Sequence, residues 1–339
     1  MILLHNFYNI VDQYFDDPNS LFSVKSLIYS DHADKYTKSL YVDERIKKHI
    51  IENFNRKLKI SITIRTVDID INIVYSEGEN LDKYKTQIIT TVVCFMHFVC
   101  VHFKCDIPRP LSIHVFLTDY KKEFPSESTL LTPFNVNTGV TINGKTILVY
   151  RKEEVIKVLI HELIHFFGID HMHVSQDKEH ELQHLFSLQN RVYLTESYTD
   201  FLACTSNTML YSVLSSTGKL LSFKSFIRSF NSNLKRERLY ILEQASRVLH
   251  HQNYCYGVKH NYSEKTHVIA YYIIKAVMFS NWKKYIEMYN EHMTKNHSLF
   301  QDEIVKDCEN YKIFCNMRVK PSDTLRMTSL DVLNKMKTI

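Results

Sequence analysis

The chain has 339 residues, of which 45% are hydrophobic and 23% charged, a balance typical of a globular protein with a substantial core. The 42 basic and 37 acidic residues are interspersed and leave a net charge of +5, so nucleic acid is not an indicated partner. Seven widely spaced cysteines without a C-x-x-C pair, and an N-terminus without a secretory pattern, favour a cytoplasmic location.

The first half of the chain predicts helices followed by strands. Residues 1–58 are interpreted as an N-terminal helical region. Two runs of alternating polar and apolar residues follow, at 59–65 and 68–74, and this period of two predicts half-buried strands. Residues 81–104 predict a long apolar helix. Its uncharged stretch runs only from 88 to 103, shorter than the roughly 20 residues that span a membrane, so we expect a core helix and no membrane span.

The remaining predicted elements come before and after a second apolar helix along the chain. A strand at 111–117 and a hairpin at 138–150, with its turn at Asn143-Gly144, come before that helix. The hairpin strand at 146–150 could pair with an extended peptide substrate. Beyond residue 219 the pattern predicts helices at about 222–250, 264–288 and 299–312.

The second apolar helix carries an H-E-x-x-H motif. His161 and His165 lie four positions apart, so they share a helix face and can present two imidazoles to one metal ion. Glu162 lies about 100° further round the helix, where it can act as a general base on a metal-activated water. Because the surrounding residues are almost all apolar, we expect the helix to be buried, where two imidazoles and a carboxylate must be paired or bound to metal. The alternative is a core helix with incidental polar residues.

The sequence offers two candidates for a third ligand, since a catalytic zinc ion takes three protein ligands and keeps a position for water. Glu196 would complete a His2Glu site, and Asp200, one turn later, can accept the remaining ring N–H of a ligand histidine and fix its tautomer. His171 instead completes the metzincin pattern H-E-x-x-H-x-x-G-x-x-H, with Met209 as a possible Met-turn. The helical spacing around Met209 favours Glu196, and His171 stays open as the alternative third ligand.

With HELIH at 161–165 and ESYTD at 196–200, the sequence resembles the gluzincin metallopeptidases. Over roughly residues 111–215 it is more closely similar to uncharacterised metallopeptidase-like proteins of large cytoplasmic DNA viruses. The resemblance implies an α+β fold with a zincin-like catalytic core at 59–218, in which a small mixed sheet carries a backing helix and the active-site helix. A helical C-terminal lobe at 219–339 follows. The cytoplasmic location would then be the host-cell cytoplasm or the virion.

The implied function is zinc-dependent hydrolysis of a peptide or protein substrate with one catalytic Zn²⁺ ion and Glu162 as general base. A second donor to the reacting carbonyl is expected from a downstream His or Tyr; the candidates are His250, His251, Tyr254, Tyr256, His260, Tyr262 and His267. The rival interpretations are a metzincin-like protease that uses His171 and a non-catalytic zinc-binding or interaction protein on a zincin scaffold. Glu162 counts against the non-catalytic interpretations, because a closed structural site has no use for a base.

Overall fold

The computed structural model describes residues 2–30, 42–126, 130–170, 174–215, 218–256, 264–292 and 297–332. Over these residues the chain forms an α+β fold with one mixed sheet and a larger number of helices, as the sequence predicts. The division into three regions at 58 and 218 stays a prediction.

The sheet has six strands in the order β1-β2-β3-β4-β6-β5. The β3–β4 and β4–β6 pairs are parallel and the other pairs antiparallel. Asn143 and Gly144 both have positive φ and form the centre of the tight turn between β5 and β6, in which Lys145 donates its N–H to the Ile142 carbonyl oxygen at 3.1 Å. The strands are β1 (Phe22–Ser30), β2 (Arg56–Ile64), β3 (Val67–Tyr75), β4 (Leu111–Phe116), β5 (Gly139–Ile142) and β6 (Thr146–Val149).

Two sequence interpretations of the sheet are wrong. Residues 22–30, predicted as helical, form the edge strand β1; most of its side chains are exposed, so no buried face imposes an alternating pattern. The strand at 146–150 cannot pair with a substrate, because β6 lies between β4 and β5 and both of its edges are occupied. The outer strand on that side is β5. The other predicted strands and the hairpin are confirmed.

The helices surround the sheet and continue beyond it. They are α1 (Ile2–Asp16), α2 (Glu44–Asn53), α3 (Leu81–His102), α4 (Pro133–Val136), α5 (Val155–Phe167), α6 (Gln176–Leu185), α7 (Leu194–Val213), α8 (Phe223–His251), a π-helix (Ile269–Ile274), α9 (Lys275–Ser280), α10 (Trp282–His292) and α11 (His297–Cys308). Short 3-10 turns lie at Pro18–Ser20, Tyr254–Tyr256 and Tyr311–Asn316. The predicted single helix at 264–288 is instead a π-helix, α9 and α10, interrupted at Asn281.

Helix α3 is a core helix. It is long and apolar enough to cross a membrane, but 72% of its most apolar window is buried inside the protein. The expectation of a buried core helix is confirmed. Helix α5 packs against α3, β5, β6 and α7, which places the H-E-x-x-H motif between the sheet and the C-terminal helices.

An extended segment near the C-terminus joins these two parts and was not predicted. Met327 and Thr328 donate their backbone N–H groups to Glu154 at the start of α5, each at 2.7 Å. Ser329 donates its backbone N–H to Glu237 of α8 at 2.9 Å. The segment is therefore fixed by buried carboxylates of both the sheet-bearing part and the C-terminal helices.

The cysteine pattern also missed one bond. Cys255 and Cys315 form a disulfide with their Cα atoms 5.3 Å apart, which links the second and third 3-10 turns. The spacing of the seven cysteines gave no sign of this pair.

Candidate metal centre

Helix α5 is buried along almost its whole length and ends at a glycine C-cap. Almost all of its side chains are buried, including those of His161 and Glu162, which are 6% and 5% exposed. Gly168 ends the helix in the left-handed conformation at φ 65, where a residue without Cβ pays no steric penalty, and its N–H bonds the His165 carbonyl oxygen at 3.1 Å. The chain can therefore turn back toward the last turn of α5.

Three side-chain donor atoms converge beside this helix. His161 Nε2 and His165 Nε2 lie 3.2 Å apart, and Glu196 Oε2, from the first turn of α7, lies 3.4 Å from the former and 3.6 Å from the latter. A tetrahedral zinc ion with bonds of about 2.0 to 2.1 Å separates its ligand atoms by roughly 3.3 Å. The donor set and its spacing therefore fit a zinc ion. Among the described residues, these three form the group able to hold a metal.

Each of the two imidazoles is also paired with a carboxylate on its other nitrogen. His161 Nδ1 lies 3.1 Å from Asp200 Oδ1, and His165 Nδ1 lies 2.6 Å from Asp170 Oδ2. A ring that donates through Nδ1 presents the lone pair of Nε2, the form that binds a metal. The place of Asp200 follows from its helical spacing in the sequence, whereas that of Asp170 was not predicted. The signal available for Asp170 was Gly168, which returns the chain to His165.

The carboxylate of Glu162 lies under strand β5. The Thr141 hydroxyl is 2.8 Å from Glu162 Oε2 and 3.0 Å from the Glu162 carbonyl oxygen. A Cβ added to Gly139 would lie 2.8 Å from Glu162 Oε1, so only glycine fits here without displacing the carboxylate. Burial raises the pKa of Glu162, and it outweighs the lowering by His161, His165 and the Thr141 hydrogen bond. The group is therefore a buried, fixed and comparatively strong carboxylate base.

Tyr271 of the π-helix also lies at this site and was not predicted from the sequence. Its hydroxyl donates to Glu196 Oε2 at 2.9 Å, and its ring centroid lies 5.9 Å from that of His161. Burial, together with the charge of Glu196, keeps the pKa of Tyr271 well above its usual range, so the hydroxyl is a donor. Tyr271 sits in an apolar run that reads as core, and no spacing links it to residues 161–165. Helical π-turns are frequent at functional sites.

The predicted second donors lie elsewhere or outside the described residues. His250 contacts the Cys315 carbonyl oxygen, and Tyr254 donates to the Phe186 carbonyl oxygen. The ring of His251 packs on Phe124. His267 comes nearest to the site, with its ring 5.9 Å from that of Tyr271. Residues 257–263, with His260 and Tyr262, and the side chain of Tyr256 lie outside the description.

The metzincin alternative loses one of its two supports. Met209 lies inside α7 and is fully buried, as its helical spacing predicts, so the possible Met-turn is excluded because a helix continues through that position. His171 lies outside the described residues, since the structure describes residues 130–170 and 174–215.

A cluster of buried charges surrounds the three donor atoms. Asp200 Oδ1 accepts from Lys157 Nζ, and Asp200 Oδ2 accepts from Lys275 Nζ at 2.6 Å. Burial alone would raise the pKa of Asp200, but the two ammonium groups hold it well below its usual range. Burial likewise opposes ionisation of Glu196, while the neighbouring His161 and His165 hold its pKa well below the usual range. Both acids are therefore carboxylates.

The cluster has an excess of negative charge. It contains four carboxylates and two ammonium groups, so its formal charge is −2 when both imidazoles are neutral, as metal binding requires. Burial alone would lower the pKa of His165, but the hydrogen bonds to Asp170 and Glu196 hold it well above its usual range. Its charged members are Glu162, Glu196, Asp170, Asp200, Lys157 and Lys275. One divalent cation brings this buried cluster to neutrality, which burial favours.

Comparison with known proteins gives one informative similarity. The chain is 25% identical over 175 residues to an uncharacterized protein of Acanthamoeba polyphaga mimivirus. The match covers 48% of this chain and 42% of the mimivirus protein, so it spans less than half of that relative's length. The similarity to uncharacterised viral proteins is thus confirmed. No family model and no solved structure matches the chain.

Proposed function

We propose that the protein is a zinc-dependent metallopeptidase that hydrolyses peptide bonds of a peptide or protein substrate. The observation that carries the proposal is the convergence of His161 Nε2, His165 Nε2 and Glu196 Oε2 at 3.2 to 3.6 Å from one another. The formal charge of −2 on the surrounding cluster supports a divalent ion in this place. The described residues supply two imidazoles and one carboxylate to this group, a donor set typical of catalytic zinc sites that keep a position for water.

The order of elements supports a zincin-like core around this centre. Strand β3, helix α3, strand β4, the β5–β6 hairpin and helix α5 follow one another along the chain, which is the order expected of the zincin upper half. The contact of α5 with α7 brings the third donor to the first two. We further propose a gluzincin arrangement with Glu196 as the third ligand and Asp200 as the support of His161. We propose a cytoplasmic location, in the host cell or the virion, from the similarity to a mimivirus protein alone, since the Cys255–Cys315 disulfide counts against the argument from cysteine spacing.

In the proposed reaction, the ion and the surrounding side chains have different roles. A bound zinc ion would polarise a water molecule and the substrate carbonyl. Glu162 takes the proton of the attacking water and passes it to the leaving amine, a transfer for which a buried carboxylate with a raised pKa is suited. Thr141 holds the carboxylate of Glu162 in one orientation. Tyr271, whose hydroxyl points into the centre, can donate a hydrogen bond to the oxygen of the former carbonyl while it keeps its proton.

The test is cleavage of a proteome-derived peptide library by the zinc-loaded chain and by Glu162→Gln. Loss of the base should reduce cleavage by at least about 100-fold while zinc stays bound. Glu237→Gln is the matched control, since Glu237 is also a fully buried glutamate but binds Ser329 instead of facing the centre. Cleavage by Glu162→Gln at the wild-type rate, or no cleavage by the zinc-loaded wild type, contradicts the proposal.

A further inference from the structure

Asp200 is held from three directions, by a candidate ligand and by two lysines. Lys157 lies one turn before His161 on α5, and Lys275 is the first residue of α9. The side chains of Lys157, Lys275 and Asp200 are 2%, 1% and 0% exposed. Both ammonium groups also contact Met327 of the extended C-terminal segment, Lys157 through the sulfur and Lys275 through the carbonyl oxygen, each at 3.4 Å.

Fixing the tautomer of His161 does not require two lysines on Asp200. One carboxylate on Nδ1 suffices to orient a ligand imidazole, and burying additional charges is costly even when they are paired. Replacing buried ion pairs by apolar side chains is often neutral or stabilising. The two buried ammonium groups on Asp200 are therefore better explained by their effect on the net charge around the three donor atoms.

The two lysines oppose a divalent ion in the same centre. With four carboxylates and a dication but no lysines, the cluster would carry a formal charge of −2; with both lysines it is neutral. Each ammonium group repels the ion directly. Each also neutralises part of the negative charge that Asp200 places on His161, which makes the imidazole of His161 a weaker metal ligand. An ion held by weaker donors retains more of its polarising power.

We propose that Lys157 and Lys275 are positioning residues that orient Asp200 on His161 and, through their charge, lower the affinity of the centre for its divalent ion. The proposal rests on the proposed function in one respect, because it requires that His161, His165 and Glu196 bind such an ion. It adds that the centre binds its ion less tightly and that the ion polarises a bound water or carbonyl more strongly as a result.

The experiment measures the zinc affinity of the full chain by competition with a chromophoric chelator. Lys157→Met and Lys275→Met remove one charge each, keep a long flexible side chain, and leave the other lysine to orient Asp200. Each variant should bind zinc about tenfold more tightly or more, because a dication enters a more negative site. Lys47→Met is the control. Lys47 is also a largely buried lysine, but it lies on α2 and pairs with Glu44 at 2.6 Å, so its loss should leave the zinc affinity unchanged.

A variant of opposite sign separates the charge effect from general damage. Asp200→Asn leaves two ammonium groups without their carboxylate and should weaken zinc binding about 10- to 100-fold. The double variant Lys157→Met/Asp200→Asn should recover part of that loss. Damage to the fold would instead weaken binding in every variant.

Thermal unfolding supplies a second readout that needs no activity. Without zinc, the two Lys→Met variants should be less stable than the wild type, and zinc should raise their melting temperature by more than it raises that of the wild type. Wild-type or weaker zinc affinity in both variants overturns the proposal. So does failure of both to fold at any zinc concentration, because the dication is expected to replace the lost charge. A wild type that binds no zinc refutes the proposed function itself, which distinguishes the two failures.

Discussion

Glu264, a buried acid that bonds the start of the π-helix carrying Tyr271, should make the stability of the protein depend on pH. Its side chain is buried, with the residue 8% exposed, and its Oε1 accepts the backbone N–H of Ile269, the first residue of the π-helix, at 2.7 Å. Burial raises the pKa of Glu264 to about 8, and the hydrogen bond from Ile269 lowers it only in part. In the folded protein this carboxyl group is therefore neutral over much of the physiological range.

The sign of the effect follows from proton linkage. Between the unfolded pKa, near 4.5, and the folded pKa of about 8, the folded state binds the extra proton, so the free energy of unfolding falls as the pH rises. The stabilisation of the neutral form is complete below the lower value and lost above the higher one. At about 1.4 kcal/mol per pKa unit, the wild type should lose roughly 2 to 3 kcal/mol between pH 6 and pH 9 through this group alone.

Glu264→Gln removes the titration but keeps an acceptor oxygen for Ile269. Urea unfolding of wild type and variant at several pH values, with zinc held constant, gives the difference in free energy of unfolding. That difference should shift in favour of the variant by roughly 2 to 3 kcal/mol from pH 6 to pH 9. A constant difference across this range would refute the assignment of a neutral buried acid at this position.

Three further changes test the surroundings of the base and the ion. Gly139→Ala should cost about 1 to 3 kcal/mol of stability in urea unfolding, because its Cβ would meet Val158 Cγ1 at 2.7 Å; unchanged stability would contradict the close approach. Thr141→Val should lower kcat roughly tenfold with little change in KM, while Thr141→Ser keeps most activity; equal loss in both variants would contradict a role for the hydroxyl on Glu162. Tyr271→Phe should lower kcat about 100-fold at unchanged zinc content, and full activity would exclude the hydroxyl as a donor.

The sequence predicts the parts of this protein that depend on local periodicity. The strands β2, β3 and β4, the β5–β6 hairpin and the long helices each carry a period or a turn signal within a few residues. The pairing of His161 and His165 follows from the same logic, because they lie one turn apart on a helix. Glu196, in the first turn of α7, is one of two candidates that the sequence offers for the third donor, since periodicity predicts its helix but not the packing of that helix on α5.

The parts that the sequence does not predict depend on contacts between distant segments. Strand β1 has mostly exposed side chains and so lacks a pattern. Tyr271 and Lys275 reach the centre only because the π-helix and α9 pack against α7. The extended segment around Met327 carries no pattern that predicts its place, because its backbone bonds distant partners: Leu325 donates its N–H to the Lys122 carbonyl oxygen, and Met327 donates its own to Glu154.

The ligand set of the zinc-loaded chain is the most direct test of the account, and X-ray absorption spectroscopy at the zinc edge measures it. We expect one zinc ion per chain with two imidazole nitrogens and oxygen ligands at about 2.0 to 2.2 Å, from His161, His165, Glu196 and water. Three imidazoles would contradict the choice of Glu196 and favour His171. Sulfur ligands, or the absence of stoichiometric zinc, would contradict the metal centre itself.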